Sequence, residues 1–303
     1  MNRRTFLALA ALAARARANV RGMQLHLSCG SLGITASQRE AIDLAAAHGF
    51  DAVDADGKYL GGLSDGELAD LTAYRKGKNI AWAMAGLPVE FRRDEAAFST
   101  GMAQFPAYAR GIQRAGVEKV TTYVLPRSDT LTYLANFKLH AARLRDIARV
   151  LGDANMRFGI EYVAPKTLWT TGRYPFVHTM AEMRELIAEI GRPNVGLVLD
   201  SWHWYHAGDS AADIRALPSE AVVSVDLNDA PLGVLKDQMV DNHRELPAAT
   251  GVIDIKAFLG ALETIGFHGP VRAEPFNEAV RKMLPDEAAA AAAAALRKAL
   301  LTA

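Results

Sequence analysis

Short apolar runs alternate with longer amphipathic segments along most of this chain. The short runs are rich in β-branched residues and bounded by Gly, Pro or Asn, a pattern typical of buried strands. The longer segments repeat apolar positions at helical spacing, and one of them begins at the capping box Ser37-Gln38-Arg39-Glu40. The pattern predicts eight strand–helix units in succession. Strands are predicted at residues 24–27, 50–54, 80–84, 119–123, 156–161, 195–200, 222–226 and 270–274.

Helices are predicted after these strands, without a change in composition that would mark a domain boundary. They cover residues 37–48, 64–78, 94–115, 132–151, 179–190, 210–217, 254–265 and 285–300. Strands and helices that alternate in this way form a parallel sheet, and eight units close it into a barrel. A doubly wound sheet would normally carry a Gly-rich turn after the first strand, which Cys29-Gly30-Ser31-Leu32-Gly33 approximates poorly. We therefore expect an α/β fold, a single (β/α)8 TIM barrel over residues 24–300.

The last four predicted strands share one feature, an acidic residue at the carboxyl end. These residues are Glu161, Asp200, Asp226 and Glu274. Active sites of parallel barrels lie at the carboxyl ends of the strands, so we expect the four carboxylates to converge there. Clustered like charges need a counter-charge, and a divalent cation is the usual one. The pattern predicts a metal site for an oxygen-rich substrate, although Asp226 also fits a helix cap or a turn.

The overall composition argues against a nucleic-acid partner. The 303 residues include 34 basic (Lys and Arg) and 34 acidic (Asp and Glu) residues, whereas nucleic-acid enzymes usually carry an excess of positive charge. Half of the residues are apolar, which allows a substantial core. Cys29 is the single cysteine, so an internal disulfide is excluded and we expect a small buried thiol.

The first residues resemble a twin-arginine export signal. The stretch Asn2-Arg3-Arg4-Thr5-Phe6-Leu7 leads into a short apolar segment that ends near Ala14, and Ala16-Arg17-Ala18 matches a small-residue cleavage site. We expect residues 1–18 to be a signal peptide and the mature protein to be periplasmic. The alternative is a basic tail on a cytoplasmic protein. The apolar segment is too short to span a bilayer, and we expect no stable association with membranes.

Motifs in the second half of the chain carry a family resemblance. They are Ile160-Glu161-Tyr162, Val198-Leu199-Asp200-Ser201-Trp202-His203, Asn228-Asp229-Ala230-Pro231, Leu246-Pro247 with Thr250-Gly251-Val252-Ile253-Asp254, and Gly269-Pro270-Val271-Arg272-Ala273-Glu274-Pro275-Phe276. Together they resemble the sugar phosphate isomerase/epimerase family, the xylose isomerase-like barrels that include ketose 3-epimerases, inosose dehydratases and endonuclease IV type repair enzymes. The resemblance extends over residues 24–300 and is strongest over 156–276. It is fairly specific for the family and does not specify the substrate.

The resemblance implies a divalent metal (manganese, magnesium or cobalt, with zinc as an alternative) held by Glu, Asp, His and Glu on the last four strands. Glu161, Asp200 and Glu274 match three of these ligands. At the fourth position the family has Val-His-Leu-x-Asp, whereas this chain has Val225-Asp226-Leu227-Asn228-Asp229. Aspartate is a competent oxygen ligand, so we predict a site of four carboxylates shifted toward magnesium or manganese. The same substitution also fits an altered or lost activity.

Four further residues are predicted to contact the substrate. Asp200-x-x-His203 resembles the family's pairing of a metal ligand with a substrate-binding histidine. Arg244 fits two hydrogen bonds to a substrate oxygen or phosphate. Trp202, on the predicted loop after the sixth strand, offers an aromatic face to a sugar ring, and His26 ends the first strand at the same mouth. Each residue also fits a structural or surface role, so these assignments are hypotheses.

The resemblance and the paired glutamates imply proton transfer next to a carbonyl group. In this hypothesis the metal acts as a Lewis acid, and Glu161 and Glu274 remove and return a proton through an enediolate. The substrate is a ketose or related sugar, which is isomerised or epimerised. The oligomeric state stays open, with a homodimer as one expectation.

Three alternatives compete with this hypothesis. A metal-dependent sugar lyase or dehydratase, including an enzyme that cleaves keto-glycosides, would begin with the same deprotonation. A non-catalytic periplasmic sugar-binding barrel would fit the export signal and Asp226. A DNA repair endonuclease fits poorly, because its metal cluster needs several extra histidines and this chain has few at the predicted strand ends.

Overall fold

Eight parallel strands close into a barrel in the computed structural model, which describes residues 22–302. The strands β1–β8 are Gln24–Leu27, Ala52–Ala55, Ala81–Gly86, Lys119–Tyr123, Arg157–Glu161, Val195–Asp200, Val222–Leu227 and Pro270–Ala273. Each strand pairs with its neighbours in chain order, and β8 pairs with β1 to close the barrel. The predicted (β/α)8 fold is confirmed. The predicted signal peptide at residues 1–18 lies outside the described residues.

Helices fill the connections between the strands and surround the barrel. The helices α1–α12 are Gln38–Ala47, Gly57–Gly62, Asp65–Gly77, Glu95–Arg114, Tyr133–Asp153, Lys166–Trp169, Met180–Ile190, Ser201–Ala207, Ala211–Arg215, Ile255–Thr264, Glu278–Arg281 and Pro285–Thr302. Capping boxes on Ser37, Ser64, Thr179 and Ser210 start four of them, where a hydroxyl and an acidic side chain satisfy free backbone N–H groups. No helix within residues 22–302 is long and apolar enough to cross a membrane.

Two short helices differ from the sequence-based expectation. α2 follows β2 and begins at Asp56, whose side chain accepts hydrogen bonds from the backbone N–H groups of Lys58 and Tyr59. α8 follows β6 directly, and Asp200 caps it by accepting a hydrogen bond from the Trp202 backbone N–H at 2.8 Å. The aromatic residues after β6, expected on a loop, therefore lie on a buried helical turn.

Strand register decides which side chains lie next to one another at the carboxyl end of the barrel. Asp200 on β6 is in register with Asp226 on β7, and Asp226 is in register with Arg272 on β8. Residues in register on neighbouring parallel strands project to the same side of the sheet. The three side chains therefore form a row across three strands.

The interior of the barrel is tightly packed around Gly159 on β5. Gly159 precedes Glu161 by two residues on β5, so both face the same side of the strand. A Cβ added at Gly159 would lie 2.9 Å from Val198 Cγ2 and 3.1 Å from Thr121 Cγ2 and Val223 Cβ. The interior has no room for a side chain at this position, so the close approach of the strands requires glycine.

Candidate active site

The carboxyl ends of β5 to β8 bring four acidic side chains together. Glu161, Asp200, Asp226 and Glu274 each place one carboxylate oxygen within 4.8 Å of the others. All four residues are buried, and Asp200 and Asp226 have no exposed surface. The structure thus assembles the four carboxylates that the strand ends led us to expect.

Two arginines place positive charge inside this cluster. Arg244 Nη1 lies 2.8 Å from Asp200 Oδ2 and 3.2 Å from Glu274 Oε2. Arg272 donates from Nε and Nη2 to the two oxygens of Asp226, both at 2.7 Å, and Nη2 also lies 2.9 Å from Glu274 Oε1. Burial alone would lower the pKa of Arg272, but Asp226 and Glu274 outweigh it and raise that pKa well above its usual value. Both guanidiniums remain charged.

Two guanidiniums leave the four carboxylates with excess negative charge. Burial, reinforced by Glu274 and the neighbouring aspartates, raises the pKa of Glu161 well above its usual range. Burial also raises the pKa of Asp200 to about 7, although Arg244 offsets part of this effect. Oε1 of Glu161 is buried and accepts no hydrogen bond from the described part of the chain. An oxygen in this position needs a cation or a proton.

A divalent metal ion fits these donors. Glu161, Asp200 and Glu274 offer oxygen atoms, which magnesium and manganese prefer as ligands. His203 Nε2 lies 3.9 Å from Glu161 Oε1 and 3.8 Å from Asp200 Oδ2, so a nitrogen atom borders the same space. An ion here would satisfy the unpartnered oxygen of Glu161 and neutralise the excess charge.

His203 is held in one protonation state by its surroundings. Burial, together with the charge of Arg244, lowers the pKa of His203 well below its usual value, so the ring is neutral. The backbone N–H of Ala164 donates to Nδ1 at 3.3 Å. Nη2 of Arg244 lies 3.4 Å from Nε2, so both ring nitrogens face hydrogen-bond donors and the neutral ring is held in place between them.

Buried hydrogen bonds orient the charged groups. Asp200 Oδ1 accepts from the Trp202 backbone N–H at 2.8 Å and from Asn228 Nδ2 at 2.9 Å. Asp241 Oδ1 accepts from Arg244 Nη2 at 2.9 Å and from Trp202 Nε1 at 3.1 Å. Asp200 and Arg244 therefore have fixed positions before any ligand binds, which lowers the cost of organising the site.

A cavity of about 460 Å³ opens over the carboxylates. Its buried polar lining consists of Glu161, His203, Arg244 and Glu274, and the partly exposed Arg272 borders it as well. The more exposed part of its lining includes Tyr123, Leu125, Arg127, Leu168 and Phe276. A cavity of this size and polarity suits a small, oxygen-rich molecule.

The four predicted substrate-binding residues divide into two pairs. His203 and Arg244 line the cavity. His26 is buried, with Nε2 2.8 Å from Asp54 Oδ1, and Trp202 is fully buried with its indole N–H on Asp241. These two residues do not line the cavity; Trp202 supports Asp241, which does, whereas His26 is paired with Asp54 outside it.

Sequence reasoning did not single out Arg272 or Asp241. Arg272 lies two residues before Glu274, so the alternation of side chains along a strand places both on the same side. An arginine at such a position in an otherwise apolar strand is a signal that could have identified it. Asp241 lies in the long connection between β7 and α10, where the sequence offers no comparable signal.

Several known proteins are similar to this chain. A family model described as a xylose isomerase-like TIM barrel matches residues 42–299. The inosose isomerase of Bacillus velezensis is 25% identical over 255 residues, which cover 82% of this chain and 87% of that protein. The 3-dehydroshikimate dehydratase of Pseudomonas aeruginosa is 30% identical over 143 residues, which cover 47% of this chain and 21% of that protein.

One solved structure shows how far the similarity extends in three dimensions. A xylose isomerase domain protein from Alicyclobacillus acidocaldarius has a TM-score of 0.81 and 31% sequence identity to this chain. The match covers 92% of this chain and 98% of that chain. The similarity therefore includes the whole barrel and the strand ends that carry the carboxylates.

Proposed function

Since this chain belongs to the xylose isomerase-like TIM barrel family, we propose that it is a divalent-metal-dependent isomerase or epimerase of a ketose or related sugar. The observation that carries the proposal is the convergence of Glu161, Asp200 and Glu274 around the unpartnered oxygen of Glu161, next to the cavity. Similarity to an inosose isomerase over most of the chain supports a substrate with a carbonyl group flanked by hydroxyls.

Glu161, Asp200 and Glu274 are the proposed metal-binding residues. Their donors are all oxygen atoms, which favours magnesium or manganese. When bound, the ion supplies Lewis-acid stabilisation of the negative charge that develops on a substrate carbonyl oxygen. Arg244 favours the ionised form of Asp200, because its guanidinium lies 2.8 Å from Oδ2.

Glu161 and Glu274 are the proposed acid–base pair. Both line the cavity, and burial raises the pKa of each above its usual range, so each is a stronger base when ionised. One carboxylate removes the proton next to the substrate carbonyl, and the other returns a proton. Return to the same carbon from the opposite face inverts its configuration. Return to the neighbouring carbon moves the carbonyl group.

His203 is the proposed donor to a substrate hydroxyl or carbonyl oxygen. Its ring lines the cavity, and Nε2 lies 3.9 Å from Glu161 Oε1 and 3.8 Å from Asp200 Oδ2. Because the ring is neutral and fully buried, it can orient a substrate without acting as a competing acid. Phe276 and Leu168 border the same cavity and reduce the access of water to the reacting carbon.

Proton exchange with solvent tests the proposed function. Candidate ketoses and inososes are incubated with the manganese-loaded protein in D2O, and loss of the proton next to the carbonyl is followed by ¹H NMR. Glu161→Gln and Glu274→Gln are each expected to slow this exchange by roughly 10²–10⁴-fold at saturating manganese, because each removes one acid–base group that is also a proposed metal ligand. Glu185→Gln, on an exposed residue of α7, is the matched control and is expected to exchange at the wild-type rate. Wild-type exchange in both active-site variants would refute the acid–base assignment.

A dehydratase is the second candidate, favoured by the 30% identity to a 3-dehydroshikimate dehydratase over 47% of the chain. Removal of the same proton followed by loss of a β-hydroxyl as water gives an unsaturated carbonyl compound. Such a product absorbs ultraviolet light, whereas an isomer or epimer of the substrate does not gain this absorbance. Product analysis on one active substrate therefore separates the two reactions.

A further inference from the structure

We infer that Arg272 holds Asp226 outside the ligand set of the metal, so that three carboxylates bind the ion and the fourth pairs with the guanidinium. The inference rests on the proposed metal site and concerns how this chain builds it. Arg272 is a positioning residue in this assignment, because it acts through Asp226 and Glu274 and not on a substrate atom.

The backbone sets the pairing of Arg272 with Asp226. The two residues are in register on β8 and β7, so their side chains lie next to each other. Nε and Nη2 of Arg272 donate to Oδ1 and Oδ2 of Asp226, both at 2.7 Å. A planar guanidinium that bonds both oxygens of one carboxylate forms a strong and directional ion pair. Asp226 is fully buried, so separating the pair would leave an unpaired charge in the interior.

Glu161 and Asp200 are less completely paired with cations, and Glu274 shares both of its guanidinium partners with other acids. Oε1 of Glu161 has no hydrogen-bond partner within residues 22–302. Asp200 and Glu274 share the single guanidinium of Arg244, with distances of 2.8 Å and 3.2 Å, and Asp241 engages the same guanidinium. The guanidinium of Arg244 is divided among three acids, and that of Arg272 is divided between Asp226 and Glu274. The two cations therefore leave the cluster with negative charge that a metal ion can neutralise.

Charge repulsion favours the same ligand set. Nη2 of Arg272 bonds Asp226 and also lies 2.9 Å from Glu274 Oε1. An ion bound directly to Asp226 would lie against the guanidinium that bonds both of its oxygens, and two cations at such a distance repel each other. Arg244 contacts only one oxygen of Asp200, and Glu161 has no guanidinium partner within residues 22–302. The ion is therefore expected on the side of Glu161 and Asp200.

Metal affinity of the full-length protein tests the inference independently of activity. The metal-stripped protein is dialysed against MnCl2, and bound manganese is measured by inductively coupled plasma mass spectrometry. The wild type is expected to bind about one equivalent, and Glu161→Gln, which removes a ligand, is expected to lose roughly 1000-fold in affinity. The double variant D226N/R272Q removes one charge of each sign and keeps hydrogen-bonding groups. Its affinity is expected to stay within about tenfold of wild type, because it changes only groups outside the ligand set.

A second variant tests the role of Arg272 from the opposite direction. Arg272→Met frees the oxygens of Asp226 and adds one negative charge to the site, so manganese is expected to bind about tenfold more tightly. The gain should shrink when Asp226→Asn is combined with Arg272→Met, because Asp226 then offers no charge and only the Glu274 oxygen is still released. If Arg272→Met does not fold, as judged by circular dichroism, the comparison of D226N/R272Q with Glu161→Gln decides the question.

The outcomes separate this inference from the proposed function. If D226N/R272Q loses manganese as completely as Glu161→Gln, Asp226 is a ligand and the inference is wrong, while the metal-dependent function stands. If the wild type takes up neither manganese, magnesium nor zinc, the proposed function and the inference both fail. Manganese binding retained in D226N/R272Q and lost in Glu161→Gln supports the ligand set of three carboxylates.

Discussion

Arg244 Nη1 lies 2.8 Å from Asp200 Oδ2, and both side chains are buried at the centre of the carboxylate cluster. The two residues are separated by 44 positions in the sequence, so the contact exists only when β6 and the connection that follows β7 are folded together. The same guanidinium bonds Glu274 and Asp241. Arg244 therefore supplies positive charge to Asp200 and Glu274, two of the proposed metal-binding residues.

Arg244→Met is expected to destabilise the metal-free protein by about 3–5 kcal/mol, because it leaves several buried carboxylates without their shared cation. The free energy of unfolding is measured by urea denaturation. Arg110→Met, at an exposed position on α4, is the matched control and is expected to change stability by less than about 0.5 kcal/mol. Equal stability of the two variants would show that Arg244 is not needed to hold the cluster together.

Glu161→Gln is expected to increase the stability of the metal-free protein by about 1 kcal/mol while it reduces catalysis. The substitution removes a buried carboxyl whose pKa burial raises well above its usual range, so the folded protein disfavours the ionised form that the unfolded chain adopts at neutral pH. Its oxygen Oε1 has no partner among the described residues. Urea denaturation of the metal-free proteins provides the measurement, with Glu185→Gln as the exposed control. A loss of stability in Glu161→Gln would mean that the charge of Glu161 is already compensated in the metal-free protein.

Acidification is expected to destabilise the protein partly through His140. Burial lowers the pKa of His140 to about 4, and its ring packs edge-on against Phe91 with ring centroids 5.5 Å apart. Below the ordinary pKa of about 6.5, the unfolded chain binds a proton that the folded protein excludes. The contribution of His140 is therefore fully present above pH 6.5 and is lost as the pH falls toward 4, with an upper limit of about 3 kcal/mol.

His140→Phe tests this pH dependence. The variant is expected to lose less stability than wild type between pH 7.5 and pH 5, because it removes one excluded proton. His206, whose pKa burial also lowers to about 4, maintains part of the wild-type slope. His243→Phe, at an exposed position, is the control and should keep the wild-type pH dependence. An unchanged slope in His140→Phe would rule out His140 as a source of acid sensitivity.

Two glycine substitutions are expected to change stability in opposite directions. Gly159→Ala places a Cβ 2.9 Å from Val198 Cγ2 inside the barrel and is expected to cost about 1–3 kcal/mol. Gly260→Ala lies in helix α10, where a Cβ would meet open space, and is expected to stabilise by about 0.5–1 kcal/mol. Thermal and urea denaturation of both variants provide the comparison. A neutral Gly159→Ala would mean that the barrel strands can separate at little cost.

The sequence predicted most of the barrel because the relevant signals are local. β5 and β6 end at Glu161 and Asp200, where apolar runs meet a polar residue, and α1 begins beside the capping box on Ser37. α8 was not predicted, because its start depends on the Asp200 side chain accepting a hydrogen bond from the Trp202 backbone. A residue that is both a strand end and a helix cap does not show its second role in a linear pattern.

The candidate site was only partly predictable. The positions of the four carboxylates followed from strand ends, whereas His26 and Trp202, predicted to touch a substrate, lie among supporting contacts outside the cavity. Arg272 was missed, although it shares one side of a strand with Glu274. Sequence patterns indicate on which side of an element a residue lies, and they contain no information on which neighbour fills the space opposite.

The sequence by itself determined the alternation of strands and helices and the acidic strand ends, because both depend on hydrophobic periodicity and on residues next to each other in the chain. Only the tertiary structure decided how the resulting charges are paired. Arg244 reaches Asp200 across 44 positions, and Arg272 reaches Asp226 across 46. These pairs depend on the pairing of β6 with β7 and on the register of β7 with β8, which are set by packing of the whole domain.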